Sequence, residues 1–179
     1  GVVPVSIYEI AGRWQVFGAR MGFPSTLAEE NQFFSEFWAE LSDEFNLTPG
    51  QRAALNHLDY TRFIVPFPEV RSVLEHLRAL NIRLGVLSNF SLASLGQSLL
   101  TAGLANYFDA ICAATVIGAA KPSARAFEIA LNSMRVESDH CLFFDDEIDC
   151  VNGAQMLGIK AYLVDRQAAS DDWQRGVVT

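Results

Sequence analysis

Cys141-Leu142-Phe143-Phe144-Asp145-Asp146-Glu147 is a short apolar run that ends in acid. Four apolar residues in succession predict a buried strand, because a strand covered on both faces needs no polar alternation. Two carboxylates where that strand stops lie at the carboxyl edge of a sheet, the place where open α/β folds hold their ligands. Their oxygens suit a hard cation such as Mg²⁺. The same residues also fit a solvated turn in which Asp caps the next helix.

Outward from this stretch, helices and strands alternate. A helix that Gly158 ends follows the acids, and Ile159–Val164 supplies a last strand. Upstream, Lys121-Pro122 precedes a helix carrying Ala124, Phe127, Leu131 and Met134. Before it come a short strand near Ala110–Ala113 and a helix with Leu92, Leu95 and Leu99. Ile82-Arg83-Leu84-Gly85-Val86-Leu87 reads as a strand running into Ser88-Asn89, and Pro68 opens a helix with an apolar face of Val70, Val73, Leu74, Leu77 and Leu80. Such alternation predicts an α/β fold, a Rossmann-like three-layer parallel sheet with helices on both faces.

Composition and pattern change at Ile64-Val65-Pro66-Phe67-Pro68, taken as the hinge between residues 1–65 and residues 66–179. The first part reads as helix throughout. Thr26 with Glu29 and Thr48 with Gln51 form capping boxes, Pro49 stands at a first helical position, and Phe33, Phe34, Phe37, Trp38, Leu41 and Phe45 share one broad face. That face reads as core packing or as the lining of a substrate pocket. Glu29 and Glu30 are expected to favour the N-terminus of their own helix.

A chain of 179 residues, half of them hydrophobic, can bury a real core. The net charge of −8 argues against a nucleic-acid partner, which calls for clustered Lys and Arg. No apolar run approaches the ~20 residues of a membrane span. The amino-terminal residues lack the basic-then-apolar pattern of a secretory leader. Cys112, Cys141 and Cys150 lie in or beside apolar runs without metal-ligand spacing, so reduced thiols and a cytoplasmic location are expected. His57, His76 and His140 show no partner pattern and are read as structural or solvated.

Strand ends of a parallel sheet share one edge, so Ser88-Asn89, Lys121 and Asp145-Asp146 can converge on one crevice. Ser88 offers a hydroxyl, and backbone N–H groups opening a helix after it would hold a phosphate oxygen, although helix capping explains a Ser there equally well. Lys121 precedes a helix N-terminus, where the macrodipole disfavours a cation. A lysine placed against that preference can offset charge on a transferring phosphoryl group.

In order, spacing and context these residues resemble the haloacid dehalogenase-like hydrolase superfamily. Leu87-Ser88-Asn89 is similar to its second motif, Lys121-Pro122 to its third, and Phe143-Phe144-Asp145-Asp146 with Gly153-Ala154-Gln155-Met156-Leu157-Gly158 to its fourth. The resemblance implies a Mg²⁺-dependent phosphatase of a small phosphorylated metabolite, with residues 1–65 as a helical cap domain and 66–179 as the hydrolase core. It implies catalysis by Lys121 and Ser88, phosphate binding by Ser88, Asn89 and Lys121, and metal binding by Asp145 and Asp146. Two alternatives stand beside it: a non-catalytic binding or interaction module of the same fold, and the metal-independent dehalogenase branch, which usually carries Ser-Ser-Asn where this chain has Asp145-Asp146.

Two departures matter. Cys150 stands four residues after Asp146, where some relatives carry an acid; Asp149 is one place off and is expected to cap the next helix. The family's nucleophile is an Asp in an Asp-x-Asp pattern ending a central strand, and no Asp-x-Asp occurs in this chain. Gly1-Val2-Val3-Pro4 fits the position just after that motif. The expectation is therefore a fragment whose central strand is missing. Val2–Val5 would fill the gap poorly, since Pro4 cannot donate to a ladder, and the chain alone should be inert.

Overall fold

Both capping boxes form. In the computed structural model, which describes residues 7–58, 65–90, 92–168, 170–172 and 176–179, Thr26 Oγ1 accepts the Glu29 N–H (3.2 Å) while the Glu29 carboxylate accepts the Thr26 N–H (3.3 Å). This starts α2 (Leu27–Glu44); Thr48 and Gln51 repeat the exchange and start α3 (Pro49–Asn56). With α1 (Ile7–Met21) they enclose an aromatic core of Phe17, Phe33, Phe37, Trp38 and Leu41. Phe17 meets Phe33 edge to face at 5.0 Å, the arrangement that ring quadrupoles favour. The segments 1–6 and 59–64, on which the readings of Val2–Val5 and Ile64 fall, lie outside the described residues.

From α4 (Val70–Ala79) onward the chain is α/β. β1 (Gly85–Ser88) pairs in parallel with β2 (Ala110–Ala113), Gly85 opposite Ala110 and Ser88 opposite Ala113. Between them lies α5 (Leu95–Thr101); after β2 come α6 (Ala114–Ile117) and α7 (Ala124–Met134). β3 (Leu142–Asp145), α8 (Ile148–Gln155) and β4 (Lys160–Val164) follow, with β3 and β4 parallel. A two-residue strand, β5 (Val177–Val178), pairs in parallel with β4. It is too short for sequence alternation to reveal. α7 and α8 pack on the strands through Phe127, Val151 and Ala154, joined by Ile159, Ala161, Leu87 and Phe143.

Several boundaries differ from the sequence reading. The strand expected from Ile82 begins only at Gly85, because the Leu84 N–H is taken by the Asp109 carboxylate before the ladder starts. The helix after Ser88 begins at Leu95, and residues 89–90 and 92–94 before it are not helical. Glu147 holds the cap position of α8, and Asp149 falls in its first turn. β3 is not covered on both faces: Phe143 packs against Phe127, whereas Leu142 and Phe144 are 59% and 49% exposed. α4 likewise has no fully buried residue: Val70, Leu74 and Leu77 are half-buried, and Val73 and the C-cap Leu80 are exposed.

One cause accounts for the exposure of Leu142 and Phe144. Among the described residues the strands form two separate sheets, β1-β2 and β3-β4-β5, and nothing pairs β1 with β3. The two edges border a cleft of about 510 Å³ lined by Val86, Leu87, Leu142 and Phe143, with Phe127 and Leu77 contributing to its walls. β1 and β3 thus each present an unpaired edge to this cleft among the described residues. No helix among the described residues is long and apolar enough to cross a membrane.

Candidate active site

β1 and β3 run parallel to their partners and end at Ser88 and Asp145, so their carboxyl ends can deliver side chains to one place. Ser88 closes β1, and its Oγ accepts the Phe90 N–H at 3.1 Å. That bond turns the chain away from the strand. It replaces the helix N-terminus expected after Ser88 with a loop, so the hydroxyl is not a helix cap.

Asn89 reaches the loop before α7. Its Nδ2 donates to the Lys121 carbonyl (2.9 Å), and its Oδ1 accepts the Lys121 N–H (2.8 Å). The Lys121 ammonium then meets Asp145 Oδ2 at 2.5 Å, with both side chains less than a tenth exposed. The carboxylate opposite offsets the cost of a cation ahead of α7. Phe143 places its ring 5.6 Å from the same ammonium. Asp145 Oδ1 accepts the Glu147 N–H at 3.0 Å, so both oxygens of this acid are engaged.

The two adjacent acids therefore have different surroundings. Asp145 ends the strand buried and paired, whereas Asp146 is exposed and has no side-chain partner among the described residues. Sequence reasoning passed over Glu147, whose carboxylate, with those of Asp145 and the Cys150 thiol, brings ligand atoms within 4.8 Å of one another. The Cys150 thiol donates to Glu147 Oε2 (3.2 Å), and burial with that hydrogen bond pushes its pKa up to about 12. With no cation bound it stays protonated at neutral pH. The donor set available to a cation is thus carboxylate oxygen, which fits a hard ion such as Mg²⁺.

α8 backs this crevice closely. A Cβ added at Gly153 would lie 2.7 Å from the Pro122 carbonyl oxygen and 2.9 Å from Pro122 Cβ, so the Lys121-Pro122 loop packs where only glycine leaves room. The helical part also reaches the loop after Ser88. Glu30, 5% exposed, accepts the Ser94 N–H at 2.8 Å across 64 residues, and Trp14 meets Phe90 edge-on at 6.2 Å. Glu29 caps its own helix N-terminus as expected; Glu30, in the same first turn, also reaches Ser94. No local pattern signals a contact of that range.

Residues 13–158 match the family model of haloacid dehalogenase-like hydrolases. The chain is 40% identical over 144 residues to Phosphatase MT3486 of Mycobacterium tuberculosis, an alignment covering 80% of this chain and 66% of that protein. It is 33% identical over 103 residues to (S)-2-haloacid dehalogenase 2 of a Pseudomonas species, covering 58% of this chain and 45% of the other. A solved HAD phosphatase from Thermococcus onnurineus superposes with a TM-score of 0.63 at 20% identity, covering 96% of this chain and 72% of that one. The chain thus spans less than two thirds of the length of these curated relatives. Motif order, parallel α/β architecture and a family match over most of the residues agree, and the chain belongs to the haloacid dehalogenase-like hydrolases.

Proposed function

We propose that these residues form most of a Mg²⁺-dependent phosphatase of small phosphate monoesters. The observation that supports this best is the buried pair between Lys121 and Asp145 at the end of β3, with the exposed Asp146 the next residue in the chain. Ser88 Oγ and the Lys121 ammonium bind and orient the phosphoryl oxygens, and Lys121 offsets the charge that grows on them in the transition state. Asp145 and Asp146 would hold Mg²⁺, which when bound supplies further charge neutralisation to the same oxygens. No Asp-x-Asp occurs in the 179 residues. The attacking carboxylate is assigned to a further strand inserted between β1 and β3, where the cleft has the required unpaired edges. Its oxygen bonds to phosphorus as the ester P–O bond breaks, the leaving oxygen takes a proton from a neighbouring acid, and water then cleaves the aspartyl phosphate. The 179 residues alone are expected to bind phosphate without turnover. Three free cysteines accord with a cytoplasmic enzyme, and the acidic chain with a small metabolite as partner.

The test is release of phosphate from a panel of monoesters by the full-length gene product. Turnover is expected with Mg²⁺, lost in EDTA, and lowered about 100-fold or more by Asp146→Asn. Undiminished activity in that variant and in EDTA overturns the metal assignment. The dehalogenase relative supports a second reading, in which halide is released from 2-haloacids without metal. Phosphate binding without either reaction identifies a binding module.

A further inference from the structure

We propose that Asn89 is a positioning residue for Lys121 and not a ligand of the phosphoryl group. The inference rests on the role just assigned to Lys121. One primary amide grips both main-chain polar groups of that lysine, accepting from its N–H at 2.8 Å and donating to its carbonyl at 2.9 Å. Only an amide donates and accepts in this paired sense; a carboxylate cannot donate, and a hydroxyl is too short to span both groups. The grip joins the end of β1 to a loop 32 residues away. It fixes the Cα from which the lysine side chain runs to Asp145.

Gly153 completes the arrangement from the other side. Its missing Cβ lets the Pro122 carbonyl lie against α8, so the Lys121-Pro122 loop is held between the Asn89 amide and a helix face. A lysine carries about 2 kcal/mol of side-chain rotamer entropy, which makes its backbone anchor important for where the ammonium points. A shift of about 1 Å in a group that stabilises a transition state can cost about 100-fold in rate. The Asn89 amide uses one Nδ2–H and one Oδ1 lone pair in this clamp, and that geometry makes placement of Lys121 its contribution.

The experiment is a double-mutant cycle in the full-length protein, read as kcat for monoester hydrolysis and as the inhibition constant of inorganic phosphate. Lys121→Ala is expected to lower kcat about 100-fold or more, and Asn89→Ala about 10- to 100-fold. In the Lys121→Ala background the Asn89 change should add less than about twofold, because it acts through the lysine. Asn89→Asp keeps the volume and the acceptor but loses the donor, and should show the same coupling; it serves if Asn89→Ala gives no folded protein. Independent, multiplying losses in kcat or in phosphate affinity would mean that Asn89 touches the substrate, and would overturn this inference alone. If Lys121→Ala leaves kcat unchanged, the proposed role of the lysine fails and the inference falls with it.

Discussion

Lys121→Met is expected to destabilise the fold by about 3–5 kcal/mol, whereas the double variant Lys121→Met/Asp145→Leu should regain most of that loss. The single change leaves the Asp145 carboxylate in a site where both side chains are less than a tenth exposed, with the Glu147 N–H as its remaining hydrogen-bond donor among the described residues. An uncompensated charge in such surroundings is strongly unfavourable. The double change removes both charges and substitutes apolar groups of similar volume, so no charge is left buried. Urea unfolding followed by circular dichroism measures both effects as shifts of the midpoint at unchanged slope. A single variant within about 1 kcal/mol of the parent protein would show that the pair is hydrated and not desolvated. The double variant also separates folding from chemistry. In the full-length protein it should melt near the parent yet hydrolyse no monoester, because the proposed function places this pair in the reaction.

Phe127→Ala is expected to cost a similar amount, about 3–5 kcal/mol, for a different reason. Phe127 is 1% exposed on α7, packs edge to face on Phe143 at 5.3 Å, and belongs to the cluster that joins α7, α8 and β4. Truncation leaves a cavity under both sheets. The loss should appear in the urea midpoint, and Phe127→Leu should recover much of it by keeping apolar volume. A loss below about 1 kcal/mol would mean that the cleft between β1 and β3 lets the core collapse into the vacated space. That outcome would count against a rigid strand-accepting gap.

What could be read before folding was local. Thr26 with Glu29 and Thr48 with Gln51 announced two helix starts because a capping box spans only three residues. β2 was found at Ala110–Ala113, and the parallel α/β class followed from the alternation of elements. The strand from Ile82 starts later because Asp109 takes the Leu84 N–H, and the covered faces of β3 were misread because apolar pattern assumes neighbours. Here the neighbour between β1 and β3 is lacking among the described residues, and Leu142 and Phe144 remain exposed.

The sequence by itself determined the family, the order of the motifs and the residue types available to them, since helix periodicity, capping and strand runs act over a few positions. Tertiary structure decided which of two adjacent acids pairs with Lys121, that Asn89 grips a backbone 32 residues away, and that Glu30 reaches Ser94. Those contacts join segments far apart in the chain. Their partners are chosen by how the elements pack, and no local pattern encodes that choice.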